Sequence, residues 1–432
     1  MTGPRWSTNL SKLKVPEAAT AARRRVFVTG LGFVSPHGDD PDKVFERLYA
    51  GESAIRKVRS GTPEFGADVL LAQAEYDPAG VIPKAQLFVM DRVSQMAVIA
   101  AHRALADAKL LVEDRGPADA GIYMGCGLGG SNAIQDSYRV YYQRQLRKVK
   151  PTTVPLIMTN APASHISMRY GIHGPSLTYS IACSSSGVAI GEAFRAIRDG
   201  YLDRALAGGT ESMLNDGAIV AWDGLGVLAK EHADGAAASS RPFSKDRNGT
   251  VLGDGAAIVV LEEYGRAVAR RARIYGELVG YGVSNDSSHM TQPSISGQAH
   301  AMRLAIADAQ LTTDTIDYVN AHGTGTPLND AAETQAIKDV FGERAREIPV
   351  SSTKSMHGHL VGAAGALELV ISTLAVHRQT VPPTAHLDEP DPNCDLNYVP
   401  HKGHPARVRA AMSNSFAVGG TTGVLVVSEP TA

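Results

Sequence analysis

Leu177-Thr178-Tyr179-Ser180-Ile181-Ala182-Cys183-Ser184-Ser185-Ser186-Gly187 is where an extended run becomes a helix. The apolar, β-branched residues before Cys183 read as a strand. After it, Ile190, Phe194 and Ile197 recur at helical spacing, and Gly200 sits where that helix stops. Cys183 therefore falls on a tight strand-to-helix turn, at the positive end of a helix, where a thiol can serve as a nucleophile. A lone cysteine is more often a buried, inert side chain. The small residues Ser184 to Gly187 favour the reactive reading, because they leave room for a substrate beside the sulfur. A helix terminus contributes only about 0.3–1 kcal/mol at an exposed site, less than the roughly 1.36 kcal/mol of one pKa unit. Cys183 thus requires partners from elsewhere in the chain.

The composition narrows the classes. With 432 residues, 44% hydrophobic content and 43 glycines, the chain suits a large globular core with many tight turns. A net charge of −2 gives no general attraction to nucleic acid or anionic membrane. Cys126, Cys183 and Cys394 are too few for a disulfide framework and lack metal-ligand spacing, so neither a structural disulfide set nor a metal is expected. No run reads as a membrane span and no signal-peptide core opens the chain, which points to a cytoplasmic protein.

In chain order, residues 1–25 read as a loosely ordered extension ending in a solvated Arg23-Arg24-Arg25 boundary. Val26 to Gly32 read as a strand and glycine turn, with Gly30 and Gly32 too few for a dinucleotide loop. Asp91 to Ala108 carry a helical core pattern, and Ile122 to Gly130 form a strand running into a glycine-rich loop. Between Tyr138 and Lys150 lie five basic residues and no acid, a face suited to an acidic protein partner. Val28-Thr29-Gly30-Leu31-Gly32 is echoed by Leu278-Val279-Gly280-Tyr281-Gly282, and the apolar run after Gly253 by the one after Gly419. Each half opens and closes alike. The expected fold is α/β: a duplicated unit of layered sheets and helices, 26–270 and 271–432, with insertions near 130–175 and 220–250 in the first half.

The second half carries two histidine sites. Asn320-Ala321-His322-Gly323-Thr324-Gly325-Thr326 ends a strand, and Asp330 with Glu333 is expected to cap the following helix. Lys354-Ser355-Met356-His357-Gly358-His359 ends another strand and places His359 at a helix start, where positive potential favours neutral imidazole. His357 reads as an ordinary polar residue. Lys354 and Glu368 form a pair able to orient His359. A thiol and two neutral imidazoles at strand ends suit acyl transfer through a thioester, with the imidazoles stabilising an enolate.

Taken together, Ala182-Cys183-Ser184-Ser185, the His322 and His359 motifs and Asn414-Ser415-Phe416 identify a family. From Val26 to Glu429 the chain resembles the elongating β-ketoacyl-acyl-carrier-protein synthases, condensing enzymes of the thiolase fold. The resemblance implies a layered α-β-α-β-α architecture and decarboxylative Claisen condensation of acyl-Cys183 with malonyl-carrier protein, without a resident cofactor. It implies that His322 and His359 bind the malonyl carbonyl, that Lys354 and Glu368 support His359, and that the N–H groups of Cys183 and Phe416 form an oxyanion hole. Thr324 and Thr326 would contact the phosphopantetheine arm. Phe416, Ala417 and Val418 would gate the acyl pocket, and Cys126 and Leu128 would border its floor. Arg147 and Lys148 match a carrier-protein docking pair. The strand Leu177–Ile181 would pair across a homodimer, or a heterodimer with a chain-length-factor homologue; neither nucleic acid nor membrane is an expected partner.

Departures from the family pattern concentrate at the gate and the docking face. Ala417-Val418-Gly419-Gly420 stands where Gly-Phe-Gly-Gly is usual, Thr152 and Thr153 stand where Phe is frequent, Thr422 replaces an Asn, and Gly226 an Arg. Ala85, Phe88 and Val89 lie where basic contacts are common. These changes favour the ketosynthase of a type II polyketide pathway over a housekeeping fatty-acid synthase. A scaffold or decarboxylase subunit that no longer condenses is the reading from another class.

Overall fold

The computed structural model describes residues 23–60, 66–145 and 149–431. Residues 1–22 of the expected extension, and Arg147 with Lys148, lie outside the described residues.

Ten strands build the frame: β1 (Val26–Val34), β2 (Gly121–Gly125), β3 (Ser176–Tyr179), β4 (Arg204–Glu211), β5 (Gly255–Glu263), β6 (Gly276–Asn285), β7 (Ile316–Asn320), β8 (Val350–Ser351), β9 (Ala410–Phe416) and β10 (Thr421–Ser428). Their order is β3-β2-β4-β5-β1 in the first half and β6-β10-β9-β7-β8 in the second. In both halves the outer three strands are parallel and the inner two antiparallel. The halves join where β1 meets β6, antiparallel, with Val26 opposite Leu278. The repeat seen as a sequence echo is therefore a repeat of topology.

The principal helices are α1 (Arg92–Asp107), α2 (Ser131–Arg144), α3 (Ala161–Tyr170), α4 (Ser185–Arg198), α5 (Asp216–Gly224), α6 (Ile295–Asp308), α7 (Pro327–Phe341) and α8 (Ala364–Arg378). α4 and α8 form the middle layer, where Ile190, Phe194 and Ile197 share one core with Leu367, Ile371 and Leu374. α1 and α3 cover the outer face of the first half of the sheet through Met96, Ile99, Ile166 and Tyr170. α6 and α7 cover the second through Met302, Ile306, Ile337 and Phe341. A helix packed between the two halves of the sheet is apolar all round, and every residue from Ala364 to Val376 is buried. The segment Val361–Arg378 is thus long and apolar enough to cross a membrane, yet 89% of it is buried inside the fold. Its apolarity is that of a core helix.

Two local expectations are corrected. Gly30 and Gly32 make no turn: β1 runs through both to Val34. They are glycine because α1 lies directly on the strand. A Cβ on Gly32 would sit 2.2 Å from the Ala100 carbonyl oxygen, and one on Gly282 would sit 2.2 Å from that of Ala301. The echo records the same helix-on-strand contact twice. Gly32→Val is expected to cost roughly 3 kcal/mol or more by overpacking, read as a lowered midpoint of thermal or urea unfolding. An unchanged midpoint would refute the contact. Nor is Arg23-Arg24-Arg25 a solvated boundary. Arg23 pairs with Asp308 at 3.0 Å, Arg24 with Asp203 at 2.5 Å and Arg25 with Glu277 at 2.7 Å. The triplet ties the chain's entry to both halves, because acids from each project to that edge.

Candidate active site

The duplicated topology brings the starts of α4 and α8 together. Each is preceded by a short 3₁₀ turn, Ala182–Ser184 and Val361–Ala363. Each turn carries a non-glycine residue at positive φ, Ala182 at 42° and Val361 at 45°. Such conformations cost on the order of 1–3 kcal/mol and persist only where the surroundings enforce them. Here Ser185 Oγ accepts from the Ile181 N–H and donates to the Ala182 carbonyl, while Ser184 Oγ donates to the Ser415 carbonyl at 2.7 Å. The small residues after Cys183 therefore lock the turn as well as clearing space.

His359 stands just before the second turn, and its Nε2 lies 3.1 Å from Cys183 Sγ. His322, at the end of β7, packs edge-to-face on His359 with ring centroids 5.3 Å apart and lies 5.8 Å from the Phe416 ring. All three reactive side chains are buried and open on one cavity of about 440 Å³. Thr324, Thr326, Phe416, Ala417 and Val418 line it too, with the two threonine hydroxyls bonded to each other at 2.8 Å. The Val418 N–H points at the Cys183 sulfur. Gly226 and Thr422 also line the cavity, the latter hydrogen-bonded to Ser284 at 2.8 Å.

The hydrogen bonds determine the histidine tautomers. His359 Nδ1 accepts from the Val361 N–H at 3.2 Å, and the Lys354 ammonium, which has no acceptor, approaches His322 Nδ1 to 3.5 Å. With both Nδ1 atoms engaged as acceptors, both Nε2 atoms carry hydrogen. His359 directs that hydrogen at the sulfur, and His322 keeps its own on the side away from Lys354. Burial first, and the Lys354 charge second, hold both imidazoles well below the usual histidine range. They act as neutral hydrogen-bond donors.

Burial also governs the thiol. It pushes Cys183 up to about 11, against the lowering effect of Lys354 and of the Val418 N–H. The helix terminus does not prevail, in keeping with its small worth.

Three expectations change in the structure. Lys354 pairs with Glu368, as read, but its ammonium faces His322 rather than His359. Asp330 and Glu333 do not cap α7. Their carboxylates turn back to the loop before it: Glu333 accepts the N–H groups of His322 and Gly323, each at 2.8 Å, and an N–H of Asn414 at 3.0 Å. Asp330 takes the N–H groups of Phe243 and Gly325. Cys126 and Leu128 do not line the cavity at Cys183. Cys126 is wholly buried, and Leu128 is 49% exposed and borders a second cavity of about 500 Å³ with Ile134, Tyr138 and Ala218. His357, read as ordinary, is buried between Thr353 Oγ1 and the Gly358 carbonyl and stays outside the cavity lining.

Glu211, at the end of β4, escaped the sequence reading. Its buried carboxylate receives the N–H groups of Gly127, Leu128 and Gly362. One acid thus ties the glycine loop after β2 to the turn after His359. Burial raises it to about 7. A lone glutamate after Gly208-Gly209-Thr210 offered no local signal for a bond that spans 151 residues.

The set of a buried thiol, two neutral donor imidazoles and a Lys–Glu pair at one cavity is that of a carbon–carbon condensing enzyme. Models of the β-ketoacyl synthase N-terminal and C-terminal domains match residues 23–267 and 275–388. The chain belongs to the β-ketoacyl synthase family, and is an acyltransferase of the 3-oxoacyl-acyl-carrier-protein synthase type. Nodulation protein E of Rhizobium sp. (strain N33) is 40% identical over 402 residues, covering 93% of this chain and 98% of that protein. The 3-oxoacyl-[acyl-carrier-protein] synthase 2 of Coxiella burnetii is 38% identical over 409 residues, covering 94% and 99%. Among solved structures, the ishigamide ketosynthase/chain length factor superposes with a TM-score of 0.88 at 34% identity, covering 95% of this chain and 100% of that one. AntDE:AntF, a type II polyketide ketosynthase with its acyl-carrier protein, bound to the hexaketide, gives 0.86 at 31%, covering 94% and 100%.

Proposed function

We propose that this enzyme is the ketosynthase of a type II polyketide pathway, extending an acyl chain held on Cys183 with malonyl units delivered by an acyl carrier protein. The acyl group passes from the carrier thioester to Cys183, and the departing pantetheine thiol gains the proton that Cys183 loses. In malonyl thioester the carboxylate leaves as carbon dioxide. The Nε2–H groups of His322 and His359 hold the resulting enolate oxygen. Its carbon attacks the acyl-Cys183 carbonyl, the C–S bond breaks, and the sulfur takes up a proton. The N–H group of Cys183 and that of Val418, which points at the sulfur in place of the expected Phe416 N–H, serve as the oxyanion hole, Thr324 and Thr326 as contacts for the phosphopantetheine arm, and Arg147 with Lys148 as the carrier-protein dock. No resident metal or cofactor enters the scheme. We divide the chain into the extension 1–25 and the halves 26–270 and 271–432.

The observation that carries the pathway reading is the gate. Ala417 and Val418 line the cavity beside Phe416, where a smaller, less glycine-rich loop reshapes acyl entry. The likeness to a type II polyketide ketosynthase and to a ketosynthase/chain length factor supports it. β3 is an edge strand whose Leu177 is 44% exposed. Such an edge calls for a partner, and we assign it a chain-length-factor homologue, with a homodimer as the alternative. Three buried free thiols suit a reducing compartment, and we place the enzyme in the cytoplasm.

Complementation of a strain lacking its fatty-acid elongating ketosynthase tests the pathway. No rescue is expected, and robust rescue would sink the polyketide reading in favour of a housekeeping synthase. In vitro, malonyl- and acyl-carrier protein should yield a longer ketoacyl product. Carbon dioxide release without that product would make the chain a decarboxylase subunit.

A further inference from the structure

One ligand atom from each of Cys183, His322 and His359 lies within 4.8 Å of the other two, and all three residues are buried. A thiolate with two imidazoles, beside a cavity that leaves a fourth position open, is a donor set suited to zinc and cobalt(II). The sequence spacing gave no sign of it, because the three residues come from three separate strand ends. Metal–ligand bonds of about 2.0–2.3 Å place neighbouring donors about 3.3–3.7 Å apart. His359 Nε2 lies 3.1 Å from Sγ, close to that spacing, and the whole set already fits within 4.8 Å, so small side-chain shifts close it.

Two contacts oppose coordination. A metal needs a lone pair on the nitrogen that faces it. The Val361 N–H on His359 Nδ1 and the Lys354 ammonium on His322 Nδ1 put hydrogen on both facing nitrogens instead. The Lys354 ammonium also repels a dication across buried, poorly screened space. Glu368, its ion-pair partner, offsets this in part.

We propose that Cys183, His322 and His359 form a latent thiolate–bis-imidazole site for zinc-type dications, and that Lys354 is the positioning residue that keeps it closed. Without the ammonium, His322 moves its hydrogen to Nδ1 and turns a lone pair to the cavity. His359 exchanges one backbone hydrogen bond for a metal bond. The thiol releases one proton to solvent for each dication bound, and no electron is transferred. In the intact protein the same lysine keeps the nucleophile from being capped by a metal.

Cobalt(II) titration of the full chain tests this without any substrate, so its outcome is separate from that of the condensation assay. Two variants are used: Lys354→Met, and Lys354→Met with Glu368→Gln, which leaves no lone buried carboxylate. A thiolate-to-cobalt charge-transfer band is expected at one equivalent of cobalt(II), lost when Cys183→Ala is added. Cobalt affinity of the unaltered protein should be roughly tenfold or more weaker. Equal binding by the unaltered protein, or no Cys183-dependent band in either variant, overturns the proposal.

Discussion

Cys183→Ala is expected to leave no acyl transfer, with malonyl decarboxylation still running. The sulfur forms the thioester, and no other thiol can replace it: Cys126 and Cys394 are buried away from the cavity lining. The two Nε2–H donors do not depend on the sulfur for their tautomers, which are set behind the rings by Val361 and Lys354. Mass spectrometry after incubation with acyl-carrier protein should show an acyl adduct on the unaltered chain and none on the variant. An adduct on the variant would place the nucleophile elsewhere. The thiol also predicts a pH signature. Burial disfavours the thiolate and raises Cys183 to about 11, so its alkylation by iodoacetamide should keep rising beyond pH 9. A plateau below pH 8 would mean that Lys354 and the helix terminus outweigh burial.

How much of this was legible before coordinates depends on how local each cause is. Cys183 announced itself because strand, turn and helix are neighbours in the chain. The Gly30 and Gly282 segments announced the duplication because the same helix-on-strand contact imposes the same residues twice. His322 and His359 were readable as strand-end motifs, and the structure brings both to the sulfur. Contacts closed by the fold were another matter. Glu333 looked like a helix cap, since an acid in a helix's first turns has that local use; its carboxylate instead bonds N–H groups ten and eleven residues back. Lys354 lies five residues from His359 but faces His322, because the short helix Lys354–His357 turns the ammonium toward the end of β7. Glu211 had no local signal at all. Leu128, within the glycine loop, was read as bordering the acyl pocket, but its side chain borders the second cavity. Sequence reading found the groups that react and missed the buried acids that hold their backbone.

The two histidine variants should separate by stage. Removing one preorganised donor from a developing oxyanion costs about 10²–10³ in rate, so His322→Ala and His359→Ala should each slow malonyl decarboxylation to that extent. They should differ in acylation. His359 donates to the sulfur at 3.1 Å, and its loss should also slow acyl loading of Cys183. His322 is tied to Lys354 and Phe416, and loading should survive its loss. The pH profile gives an independent check with a definite sign. Both imidazoles sit well below the ordinary histidine value of 6.5 because burial and Lys354 oppose the charged form. Protonation would give the ring a second N–H, displace the Lys354 or Val361 contact and so disturb the donor geometry. Activity is therefore carried by the neutral rings above their lowered pKa values and lost only as pH falls through them. Decarboxylation by the unaltered enzyme should stay level from pH 8 down past 6.5, with any acid limb further down. A limb centred on 6.5 would show that these histidines titrate as exposed groups do. Undiminished malonyl turnover in both variants would remove them from the decarboxylation step altogether.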